Sequence, residues 1–275
     1  MKGFRNPKNL CSFNSLSQCL FNLPLVRDFI EKIKVGESIK LSTMMPNTLD
    51  KWARFYNFRI EFWKSYKDAL EKYYDNSSFV DLEKTSNNLV KPNNLRMLNE
   101  NQDPKFLFEQ IVDISMDSFG FWGSDLLEIR NNGLKELFGI SSKYSRNTSE
   151  SFILHFNTSK RYNLFRERKD TSGKYNKVAL ISLNQYLCVR FDINATKYKI
   201  PDQLDFTDYV ITEGTYKYTL CSYIILVGNF HAIAVVKVDD KWMQCDDMDI
   251  RENDNRKEYT NEYYPILGFY SKTRS

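Results

Sequence analysis

A cysteine, a histidine and a carboxylate are the side chains from which a protein builds a thiol nucleophile. This chain of 275 residues, with 5 cysteines and 2 histidines, offers few ways to combine them. Cys11 stands where a polar loop containing Pro7 gives way to a helical pattern of Phe13, Leu16, Leu20 and Leu23. A cysteine at a helix start meets the positive end of the helix dipole and its backbone N–H groups, which favour thiolate. Asn6 lies five residues earlier, in a loop able to curl back toward the sulfur, and its amide could donate to a developing oxyanion. Taken alone, the stretch reads more simply as a small packing cysteine ahead of an amphipathic helix.

His231 and Asp246 supply what such a thiol needs. His231 follows Gly228-Asn229-Phe230 and opens the apolar run from Ala232 to Val238. Asp246 and Asp247 follow Trp242 to Cys245. Two antiparallel strands joined by the Val238–Lys241 turn would bring Asp246 back near the level of His231. The carboxylate is expected to take the imidazole Nδ1–H and leave Nε2 for the thiol, the logic of a Cys–His–Asp thiol protease. Spacing alone leaves other readings open, with His231 at a core edge and the two aspartates as turn acids.

Composition narrows the classes. Hydrophobic residues make up 42% and charged residues 27%, so a packed core is expected. The 39 basic and 35 acidic residues nearly balance, which gives no argument for nucleic acid. No apolar run of membrane-spanning length and no signal-peptide layout is present. The scattered cysteines read as free thiols in a reducing compartment, cytoplasm or nucleus, and the absence of any CxxC pair argues against a structural zinc site. Abundant Asn, Lys and Tyr suggest an AT-rich genome; a pathogen source would put the protein in a host cytosol.

The positioning elements follow from periodicity. Residues 13–34 read as helix broken at Pro24, 47–75 as one or two amphipathic helices, and 75–94 as mostly loop. Asp103-Pro104 reads as N-cap and first helical position of a helix carrying Phe106, Leu107, Ile111 and Ile114. The pattern weakens over 119–148. Strands are expected at 152–156, 178–191, 218–228, 231–238 and 241–245, with the charged stretch 157–177 as a solvated hairpin or insertion. Helices first and antiparallel strands second make an α+β arrangement in one domain.

These residues also carry a resemblance. Gly3, Asn6, Asn9, Cys11, Asn14, Ser15, Gln18, Cys19 and Leu20 resemble the cysteine box G-L-x-N-x-G-N-T-C-Y-M-N-S-x-L-Q-C-L of ubiquitin-specific proteases. Leu187 to Phe191 resembles that family's L-x-x-R-F strand, and Tyr218 to Gly228 the strand before its histidine box. His231 with Trp242 and Asp246-Asp247 resembles the box itself, and Tyr264 to Tyr270 the closing strand. Asn101-Gln102-Asp103 resembles the start of its Q-Q-D-A-x-E-F helix. The matches run in the family's order along nearly the whole chain.

The resemblance implies a papain-like fold with a helical thumb (1–118), reduced fingers (119–180) and an antiparallel β palm (181–275). It implies a cysteine isopeptidase that removes ubiquitin from conjugates through a thioester, as a monomer, with no metal or organic cofactor. Cys11 would be nucleophile, His231 base and acid, Asp246 its orienter, Asn6 the oxyanion donor and Asp247 a support. Asp103, Gln102, Phe106 and Phe230 would line the groove for ubiquitin's basic tail, which ends Gly-Gly. The sequence departs from the family at Lys8, Leu10, Ser12 and Phe230, has Phe106 where a tail-binding glutamate is usual, and lacks the zinc-binding pairs of the fingers. These departures leave room for another ubiquitin-like modifier (SUMO, NEDD8 or an interferon-induced one) or for a non-catalytic ubiquitin-binding scaffold.

Overall fold

A computed structural model describes residues 1–7, 9–33, 35, 47–75, 79–89, 103–115, 133–144, 147–157, 168–169, 175–176, 178–192, 200–228, 231–253 and 263–273. The chain opens with β1 (Phe4–Arg5), α1 (Cys11–Phe21), α2 (Pro24–Lys32) and α3 (Asn47–Tyr74). There follow β2 (Val80–Asp81), α4 (Glu83–Asn87), α5 (Pro104–Ser115) and α6 (Lys135–Phe138). The strands then begin: β3 (Ile140–Tyr144), β4 (Asn147–Ser151), β5 (Ile153–Asn157), β6 (Arg168–Lys169), β7 (Tyr175–Asn176), β8 (Val178–Leu183) and β9 (Tyr186–Asp192). The chain closes with β10 (Gln203–Asp205), β11 (Lys217–Val227), β12 (His231–Val238), β13 (Lys241–Asp246), β14 (Asp249–Glu252) and β15 (Tyr263–Lys272). Helices dominate the first half and strands the second, an α+β fold.

The largest sheet runs β14-β13-β12-β11-β15-β9-β5, with β10 paired to the far end of β11. Its pairings are antiparallel except at one edge, where β5 lies parallel to β9. The expectation of antiparallel strands fails there, because the chain passes through β6, β7 and β8 before β9 forms beside β5. Those two strands and β8 form a separate three-stranded sheet, and β6 and β7 a small hairpin inside the charged stretch.

Strand alternation sorts side chains into two cores. Ala232, Ala234 and Val236 of β12, Tyr186 and Cys188 of β9 and Phe269 of β15 face the helices. Val235, Leu187, Val189, Phe191 and Tyr270 pack on the opposite face. The small Ala232 and Ala234 let α1 approach the sheet, and α1 lies so deep that all eleven of its residues are buried.

Residues 47–74 form one continuous helix, which contains neither Gly nor Pro to interrupt it. Its Tyr66 and Tyr73 pack on Phe21 and Phe4, and its Phe62 and Trp63 on Tyr66, with ring centroids 4.9 to 6.0 Å apart. Each such pair adds about 0.5–1.5 kcal/mol beyond area burial. Arg59 Nε and Trp63 Nε1 donate to the Ile114 carbonyl at 2.8 and 3.1 Å, satisfying the C-terminal end of α5. The 75–94 stretch, expected as loop, contains β2 and α4. Val80 pairs with Phe4, a contact that no local propensity encodes.

Candidate active site

α1 is seated on β12 in a definite register. Ser15 Oγ donates to the Ala232 carbonyl at 2.9 Å. One turn later, Cys19 Sγ lies 3.7 Å from the carbonyl of Tyr223, whose strand partner is Val235. Val235 lies three residues beyond Ala232, so α1 runs in the same direction along the sheet as β12. One turn before Ser15 stands Cys11, and one residue before Ala232 stands His231. The register therefore sets the Cys11 end of α1 at the His231 end of β12.

The β12–β13 hairpin turns at Asp239-Asp240, both at positive φ, and pairs Ala234 with Cys245. Asp246 and His231 consequently fall on the same face. His231 Nε2 and Asp246 Oδ1 lie 2.6 Å apart, with the two side chains 38% and 33% exposed. A carboxylate only accepts, so Nε2 donates the hydrogen of this bond and Nδ1 is the nitrogen left for another partner. This reverses the nitrogen assignment expected from sequence. Strand alternation predicts the pairing but not the rotation of the imidazole about its own bonds.

Asp247 anchors a second network. Its Oδ2 accepts from Asn6 Nδ2 at 2.7 Å and its Oδ1 from Asn14 Nδ2 at 2.9 Å. Asn14 Nδ2 also donates to the Arg5 carbonyl at 3.2 Å, and Leu10 N donates to Asn6 Oδ1. The Phe4 amide donates to the Asp247 carbonyl at 2.9 Å. A Cβ on Gly3 would meet Met248 Cα at 2.5 Å, so only glycine allows the N-terminal segment to lie on this turn. Asp247 adopts φ 50°, a conformation aspartate tolerates better than most residues. His231, Asp246 and Asp247 are also the metal-type donors that cluster within 4.8 Å among the described residues. The His231–Asp246 hydrogen bond and the chain adjacency of Asp247 account for that approach.

Cys11 is 2% exposed. Burial pushes the thiols of Cys19, Cys188 and Cys221 above their ordinary range and Cys245 up to about 12.

Asp103 precedes α5 as expected. Its Oδ1 accepts from Lys105 N at 2.9 Å, and its Oδ2 is 2.6 Å from Arg190 Nη1. Both oxygens are thus engaged within the protein. Arg190 pairs with Leu267 on β15, which pairs with Ile224 on β11 and through it with Ala234 on β12. Three inter-strand steps of about 4.8 Å place Arg190 roughly 14 Å across the sheet from β12. Phe106 follows on the first turn of α5, 51% exposed, with Lys105 Nζ 5.5 Å from its ring centroid. Gln102, Phe230 and Lys8 lie outside the described residues.

The family model for ubiquitin carboxyl-terminal hydrolases matches residues 2–270. The chain belongs to the ubiquitin carboxyl-terminal hydrolase family. It is accordingly a thiol-dependent deubiquitinase, of a family that acts on ubiquitin and its conjugates. A search of the curated proteins gave no match. Among the described residues of this hydrolase, no helix is long and apolar enough to cross a membrane.

For a ubiquitin carboxyl-terminal hydrolase, two positions deserved more from the sequence. Asn14 lies three residues after Cys11, on a neighbouring helical face, so its reach to the site was open to helical geometry. Arg190, in the L-x-x-R-F strand, was a ready counter-charge for Asp103; only the unknown strand order hid the pair.

Proposed function

We propose that this hydrolase is a cysteine isopeptidase that releases ubiquitin from conjugated lysines through a Cys11–His231–Asp246 triad and a thioester intermediate. The observation that carries the reading is the 2.6 Å His231–Asp246 hydrogen bond at the end of β12 to which α1 brings Cys11. His231 Nδ1 takes the Cys11 proton, and Asp246 steadies the imidazolium through Nε2–H. The sulfur attacks the carbonyl of the modifier's terminal glycine. The backbone N–H groups of the first turn of α1 and the second Nδ2 hydrogen of Asn6 stabilise the oxyanion, with Asn6 oriented by Asp247. His231 then protonates the leaving lysine amine, and water, activated by the same imidazole, clears the thioester.

The substrate assignment rests on fit. A thiol as buried as Cys11 suits a tail with no side chains at its end, as Gly-Gly has. The roughly 14 Å from the Arg190–Asp103 pair to β12 matches about four residues of extended chain. Carboxylate oxygens accept more than one hydrogen bond, so Asp103 can hold a basic tail residue while keeping Arg190. In this reading residues 1–118 serve mainly as thumb, 119–180 as reduced fingers and 181–275 as palm. The exposed Phe106 beside Asp103 favours a second reading, a protease for another ubiquitin-like modifier whose tail offers an apolar residue there.

Hydrolysis of a fluorogenic ubiquitin C-terminal amide by wild type and Cys11→Ala tests the proposal, with circular dichroism to verify the fold. Wild type should turn over and Cys11→Ala should not. Equal turnover by both proteins would refute the assignment. Matching amides of the other modifiers decide between the two readings.

A further inference from the structure

The β13–β14 turn presents Met248 at 60% exposure, beside the aspartate that holds Asn6. Single exposed apolar side chains are common on protein surfaces, so it is the place of Met248 beside the site that gives its exposure meaning. Met248 is also unusually well supported. Its backbone is packed against Gly3, and the Phe4 amide is tied to the carbonyl of the preceding residue, Asp247. The side chain therefore projects from a rigid platform, the arrangement that a recognition contact requires.

Its place in the fold says what it meets, given the proposed isopeptidase reading on which this inference rests. Asp103 and Arg190 lie on the β9 side of β12, whereas the Asp247-Met248 turn follows β13 on the opposite side of β12. A tail arriving from the β9 side delivers its carbonyl at the Cys11 end of α1. The scissile amide is planar and trans, so its two substituents point away from one another. The amine side must then leave over β13 and its turn.

We infer that Met248 is a specificity-determining contact for the leaving side of the substrate, packing on the acceptor lysine stem and the polypeptide that carries it. A thioether on three rotatable bonds adapts to varied apolar surfaces, which suits an enzyme that meets lysines in different sequences. The neighbouring Asp249 is exposed and adds negative charge to the same turn, so basic residues flanking the lysine are favoured over acidic ones.

The test compares a substrate with a leaving side to a reagent without one. Met248→Ser, Met248→Leu and the control Leu25→Ser are assayed with ubiquitin joined to the lysine of a short peptide. They are assayed in parallel with a ubiquitin carrying only a small C-terminal electrophile. Leu25 is 42% exposed near Tyr186, whose partner Ser271 lies at the opposite end of the sheet from His231. Expected is about a 10-fold fall in kcat/KM on the peptide conjugate for Met248→Ser, near-complete retention for Met248→Leu, and wild-type electrophile labelling throughout. Unchanged conjugate cleavage by Met248→Ser overturns the inference, as does a parallel loss of electrophile labelling, which would mark a role in building the site. Wild-type protein that does not label at all overturns the isopeptidase reading itself, and this inference with it.

Discussion

Asn6 donates to Asp247 at 2.7 Å across 241 residues of sequence, joining the loop before α1 to the turn after β13. One carboxylate thereby ties both the loop and the first turn of α1 to the β13–β14 turn, because its second oxygen takes Asn14 from α1. Both neighbours approach with amide hydrogens, so Asp247 must act as a double acceptor.

Replacing Asp247 with Asn should consequently do harm despite the close match in shape. The new amide presents an NH2 to one of two NH2 donors, and either Asn6 or Asn14 loses its acceptor. We expect kcat for a ubiquitin amide to fall about 100-fold, the scale of a lost oxyanion donor, with KM little changed. Asp247→Ala removes an acceptor from half-buried Asn6 and from buried Asn14, which keeps only the Arg5 carbonyl, and should cost about 1–3 kcal/mol of stability as well, read by denaturant unfolding. Wild-type kcat in Asp247→Asn would show that Asn6 needs no such orientation.

Asp103 has two separable duties. Its Oδ1 caps the first turn of α5, and its charge meets Arg190 and, in our proposal, the substrate tail. Asparagine caps as well as aspartate but carries no charge. Asp103→Asn should therefore keep the melting temperature close to wild type while raising KM for ubiquitin substrates roughly tenfold. Asp103→Ala should lose the cap too, lowering stability by about 1 kcal/mol. Equal KM in wild type and Asp103→Asn would remove this residue from tail recognition.

Thiol chemistry provides a pH-dependent test. Burial raises the pKa of Cys19, Cys188, Cys221 and Cys245, so at pH 8 each holds less thiolate than an ordinary cysteine. Limited treatment of the native protein with iodoacetamide at that pH should alkylate Cys11 ahead of these four, and peptide mapping reads the order. Raising the pH should bring in Cys221, the half-buried one, before the buried three. Modification of Cys221 ahead of Cys11 at pH 8 would contradict the assignment of the nucleophile.

Much of this arrangement is legible in the sequence. β12 announces itself by the β-branched Ile233, Val235, Val236 and Val238, β13 by following the Asp239-Asp240 turn, and α5 by Asp103-Pro104, because those signals are local. Two-residue periodicity then suffices to put His231 and Asp246 on one face. Other features depend on what meets what. The Asn6–Asp247–Asn14 network joins three segments whose neighbourhood follows from the stacking of α1 on β12. The parallel β5–β9 edge follows from a long excursion of the chain, and β1 and β2 are two-residue strands that exist only by pairing with each other. The choice of Nε2 over Nδ1 for Asp246 is a matter of one side-chain rotation, below the resolution of any sequence pattern.

The central claim is that Cys11 is the nucleophile of a ubiquitin-releasing triad, and covalent capture tests it most directly. Wild type, Cys11→Ala and His231→Ala are incubated with ubiquitin bearing a C-terminal electrophile, and adducts are located by mass spectrometry of the digested protein. The account predicts one adduct, on Cys11, formed rapidly by wild type, far more slowly by His231→Ala and not at all by Cys11→Ala. An adduct on any other residue, or undiminished capture by Cys11→Ala, would contradict it.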